Sequence, residues 1–146
     1  MNTLNIPTTT GDIDVPVHSE EGCNNLCLTM TEFGSFEITH KHSGRKLYGE
    51  FERASSATVE LLKIEKCLIS IGVDEGLNMC EFQDSIMRSS EEFEELSGMK
   101  ILEYINFCSM VGDFCNEFPW EPFEESPFFN IERLRKEING GTRSHE

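Results

Sequence analysis

The spacing of apolar residues changes once along the chain, near residue 53, and that change limits the fold more than any other feature. Before it, apolar and polar residues alternate in twos. Leu26, Leu28 and Met30 alternate with Cys27, Thr29 and Thr31, and Phe36, Ile38 and His40 with Glu37, Thr39 and Lys41. Leu47, Gly49 and Phe51 then alternate with Tyr48, Glu50 and Glu52. A period of two is that of a half-buried strand. Gly34-Ser35 and Ser43-Gly44 supply turns between the runs. Residues 25–53 therefore read as an antiparallel β-meander of about three strands, apolar on one face. Such a sheet needs helices over that face.

After residue 53 the period becomes helical. Ser55 and Ser56 can cap a helix carrying Val59, Leu62, Cys67, Leu68 and Ile71, closed by Gly72. A second helix starts at Asp74 or Glu75 and reaches Arg88. Ser89 and Glu92 have the spacing of a capping box, which predicts a short third helix. In 99–115 the polar residues fall on one narrow stripe, so this helix is central or fills a homodimer seam. Asn130 caps a last helix with Ile131, Leu134 and Ile138 on one face. The fold class is α+β, with the N-terminal meander packed against a helical C-terminal half. Residues 1–22 read as loosely ordered, with a short edge strand at 13–17. Residues 23–139 form a single domain and 140–146 fray.

Charge limits the partners. The net charge is −15 in 146 residues, which repels nucleic acid and anionic membrane surfaces and attracts basic proteins. The charge is also lopsided. Acids and bases nearly cancel over 36–66, whereas 74–125 holds fourteen acids against Arg88 and Lys100 alone. A surface built only for solubility mixes its signs more evenly. Two stretches concentrate the acid. One is "SSEEFEEL", with Glu91, Glu92, Glu94 and Glu95 around Phe93. The other is "FPWEPFEESPFF" at 118–129, where Trp120 and Phe123 stand among Glu121, Glu124 and Glu125. Three prolines forbid an ordinary helix or central strand there. Aromatic residues ringed by charge are the composition of interface anchors, and also of a loop folded on its own core.

The first eighteen residues show no basic-then-apolar leader pattern, and no apolar run of about 18 residues predicts a transmembrane helix. With no export signal, the six cysteines read as reduced thiols in a cytoplasmic protein. Cys23, Cys27, His40 and His42 have the donor set of tetrahedral zinc. Their spacing is not that of a standard finger, so they read as structural residues and no cofactor is expected. No nucleophile elbow, phosphate loop or H-E-x-x-H occurs, and the chain is not expected to be an enzyme.

The expectation is a small acidic module that inhibits a basic protein by covering its active or nucleic-acid-binding surface. Its leading form is an immunity protein or antitoxin against a toxin. The alternative is a phage or viral anti-defence inhibitor that mimics nucleic acid. The zinc-stabilised protein and the homodimer subunit are readings of a different class.

Overall fold

The computed structural model describes residues 3–8, 11–31, 34–111 and 127–140. It is α+β, as the change of period requires, but the sheet has five strands rather than about three. They are β1 (Thr3–Ile6), β2 (Ile13–His18), β3 (Leu26–Met30), β4 (Phe36–His40) and β5 (Lys46–Phe51), antiparallel and in chain order. Helices α1 (Ala54–Ile71), α2 (Met79–Met87), α3 (Ile101–Val111) and α4 (Pro127–Gly140) follow.

The two strands beyond the meander lie in the first eighteen residues: β2 is the strand expected at 13–17, paired on both sides rather than at an edge, and β1 is additional. Residues 13–16 of β2 pair with β1, and Val17 and His18 pair with β3. The change of partner falls at Pro16, which has no N–H to give a ladder. The hairpin thereby turns across the outer face of β3–β5. Ile6 and Val15 share a cleft there with Thr29 and Glu37. Gly44, in the β4–β5 turn, lies so close to β1 that a Cβ would stand 2.7 Å from the carbonyl oxygen of Asn5. Cys27, Thr29 and Thr39 are consequently buried on the face that alternation alone assigns to solvent.

β5 departs from simple alternation. Its pairing with β4 shifts register twice, and Gly49 sits at φ 98°, which only glycine adopts at little cost. Tyr48 and Phe51 therefore both turn inward, 2% and 1% exposed, although they are three residues apart. The expected inner set of Leu47, Gly49 and Phe51 is corrected by these bulges.

α1 is the central helix. It packs on β3, β4, β5 and α4. Leu61, Leu62, Ile64 and Leu68 are fully buried, and burying one such side chain stabilises by about 1.5–3 kcal/mol. Arg53, not a serine, precedes the first turn and makes no side-chain cap, while Gly72 ends the helix as expected. α2 starts at Asn78, whose side chain and that of Glu81 form a reciprocal capping box, four residues after Asp74 and three after Glu75, the expected openings. α3 buries Ile101, Tyr104, Ile105 and Cys108 but exposes Glu103, Asn106, Phe107 and Ser109. It is a one-faced helix over β5, not the central one. α4 begins at Pro127, suited to a first helical position, and buries Ile131, Leu134 and Ile138 as its spacing implies.

Two carboxylates inside the core fasten these layers. Glu65 is fully buried on α1. It accepts from the backbone N–H of Asn25 and Leu26, at 3.1 and 2.9 Å, and from the Asn25 amide. Burial pushes its carboxyl above the ordinary range even though these donors favour the charged form. Glu60, 1% exposed, accepts from both Tyr48 and Tyr104 hydroxyls at 2.8 and 2.5 Å. Lys63 donates to Glu60 at 2.9 Å and to the Tyr104 hydroxyl at 2.8 Å. The network joins α1 to β5 and α3.

Candidate functional site

The segment from Ser89 to Met99 does not form the helix its capping-box spacing implies. It forms a closed loop. The backbone N–H of Phe93 donates to Met99 at 3.1 Å, and that of Gly98 returns to Phe93 at 2.8 Å. A single 3-10 turn, Glu94–Leu96, lies between them. Ser97 and Gly98 turn the chain back with φ of 58° and 81°. Serine at 89 is too far from a helix to cap one; its hydroxyl accepts from the N–H of Glu91 instead.

Two side chains pin this loop. Phe93 and Leu96, 7% and 0% exposed, belong to the same apolar cluster as the α1 and α3 core residues. Phe93 thus holds the loop from beneath and is not presented to a partner. Glu91, Glu92 and Glu94 are exposed around it. Among the described residues no lysine or arginine pairs with any of the three. Glu95 differs. Its carboxylate lies 2.6 Å from Lys66, which also meets Glu137 at 2.8 Å. The Lys66 hydrogen bond holds the Glu95 carboxyl below its usual range. Of the four glutamates, three are open to a partner and one is already neutralised.

The acidity continues on either side of the loop. Asp74, Glu75, Glu81, Asp84 and Glu103 are all exposed. From 74 to 111 the only bases are Arg88 and Lys100, both exposed. Of the second predicted stretch, residues 118–126, with Trp120, Glu121, Phe123, Glu124 and Glu125, lie outside the described residues, and Pro127, Phe128 and Phe129 open α4.

The four zinc candidates are not brought together. Leu26 pairs with His40 and Cys27 with Thr39, so Cys27 and His40 point to opposite faces of the sheet. His40 is buried, stacked on Phe82 at 4.2 Å, with Nδ1 at 2.8 Å from the Ser43 hydroxyl. Burial, with a smaller contribution from His42, lowers its pKa. His42 is exposed. Burial raises the Cys23 and Cys27 thiols to about 12 and about 11. Among the described residues no three His, Cys, Asp or Glu side chains are placed to hold an ion. Also among them, no helix is long and apolar enough to cross a membrane.

The chain matches no family model, no curated protein and no solved structure.

Proposed function

We propose that the protein is an interaction module that docks a basic protein through the acidic loop at 89–99 and covers that partner's active or nucleic-acid-binding surface. One observation supports this above the others. Glu91, Glu92 and Glu94 are exposed and unpaired among the described residues, on a loop whose Phe93 and Leu96 are locked in the core. Carboxylates left without cations on a rigid support lose little entropy on meeting lysines and arginines. They also steer a basic partner toward the face and raise its association rate. In the leading form the partner is a toxin and the chain its immunity protein or antitoxin. An anti-defence inhibitor of a nucleic-acid-binding protein uses the same face.

The test compares the full chain with a variant carrying Glu91→Lys, Glu92→Lys and Glu94→Lys. Glu95 is left unchanged, because reversing it would set two ammonium groups together at Lys66. Each reversal at an exposed contact is worth about 1 kcal/mol, so about a hundredfold loss of affinity is expected. Each protein is used to capture partners from lysate at low and high salt. A basic protein retained by the native chain at low salt, and lost with the variant, supports the reading. A partner held equally by both proteins removes it.

A further inference from the structure

A cavity of about 320 Å³ lies away from the acidic loop, where β2, β3 and β4 meet the first turns of α1. Its floor is apolar: Leu28, Met30 and Phe36 from the sheet and Ala54 from the helix. At its side stand His18, Glu20 and Arg135. Glu20 is the buried member, its side chain 5% exposed, against 60% for His18 and 51% for Arg135. Both oxygens of its carboxylate are engaged. One oxygen accepts from Nε of Arg135 at 2.7 Å. The other accepts from Nη2 at 3.0 Å and faces Nε2 of His18 at 2.5 Å.

This pairing decides what the cavity wall offers. Arg135 has five N–H donors and gives two to Glu20. Nη1 has no partner among the described residues. The wall therefore presents guanidinium donors beside an apolar floor, with both oxygens of Glu20 already engaged. A cavity of this volume is at the small end of the range for small-molecule sites, about 300–1,000 Å³. We propose that it binds a small monocarboxylate with an apolar body, the carboxylate on Arg135 and the body against Leu28, Met30 and Phe36. A cationic head would face the guanidinium, and a purely apolar ligand would leave its donors unused. The site is independent of the acidic loop.

Three probes with one tail and different heads test this on the full chain: octanoate, octanol and octylamine, titrated by amide chemical shifts. Octanoate is expected to bind most tightly, octanol about tenfold more weakly and octylamine weakest. The shifts should centre on Val17, Leu28 and Thr58. Arg135→Gln should bring octanoate down to the level of octanol and leave octanol unchanged. Because Arg135 also fastens α4 to Glu20, a second variant is needed that leaves that pair intact. Ala54→Phe fills the cavity from the helix side and should abolish binding of all three probes, with the melting temperature confirming the fold. Equal binding of octanoate and octylamine overturns the proposal. So does binding untouched by Ala54→Phe, or no binding of any probe to the native chain.

Discussion

Tyr104→Phe removes one oxygen and disturbs a whole network. That hydroxyl donates to Glu60 and accepts from Lys63. Without it, Glu60 keeps Tyr48 and Lys63, and the Lys63 ammonium loses one of its two acceptors. A hydrogen bond to a charged group is worth about 1.5–3 kcal/mol, and the site is too dry for water to replace it freely. The expected destabilisation is about 2 kcal/mol. With an m-value of about 2 kcal/mol/M, the urea midpoint falls by about 1 M. A second assay reads the same network. Tyr48 and Tyr104 are the only two tyrosines in the chain. Burial and then the charge of Glu60 push both phenols well above their ordinary value. A phenol raised in the folded state contributes stability that is complete below its unfolded pKa of about 10 and is lost as pH rises beyond it. Tyrosinate absorbance should therefore appear only together with alkaline unfolding. A loss below about 0.5 kcal/mol for Tyr104→Phe, or phenol ionisation near pH 10 in the folded protein, would refute the argument.

Phe93→Ala should cost about 3–5 kcal/mol in urea unfolding, since it empties a core site beneath the acidic loop. Native stability in that variant would mean that Phe93 is available to a partner after all. In thiol labelling of the native protein, Cys80, which is exposed, should react before Cys23, Cys27 and Cys67. Burial raises those three thiols to about 12, 11 and 12, so early labelling at any of them would contradict their placement.

Much of the framework was legible in the residues, and the failures have separate physical causes. The runs at 26–30, 36–40 and 46–51 read correctly as strands because a period of two is a local property. Ile131, Leu134 and Ile138 read correctly as one buried face for the same reason. Thr3–Ile6 is not legible as a strand, because four residues before a proline carry no periodic signal. Alternation puts Tyr48 outside, whereas a bulge changes which residues face inward, and only Gly49 hints at one. In the sequence Glu60 and Glu65 count only among the acids that nearly cancel the bases over 36–66. Their burial depends on donors, from Asn25 to Tyr104, that lie as many as 44 residues away. At the candidate site, the acidity of 91–95 was plain in the composition. That Phe93 and Leu96 point inward, and that Lys66 neutralises Glu95, depends on tertiary packing that no local spacing encodes.

The clasp between α4 and the turn at 20–22 bears on how the molecule is made. Arg135 and Glu20 are 115 residues apart, and Asn139 reaches the carbonyl of Glu21 across 118. Closing a loop of that length costs about 4 kcal/mol of chain entropy before any contact offsets it. α1 meanwhile waits with the surface that Ile131, Leu134 and Ile138 will cover. On the ribosome the sheet and α1 can assemble early, but that surface stays bare until α4 emerges. The interval is when a nascent chain of this kind is most exposed to aggregation, and when a chaperone has most to protect.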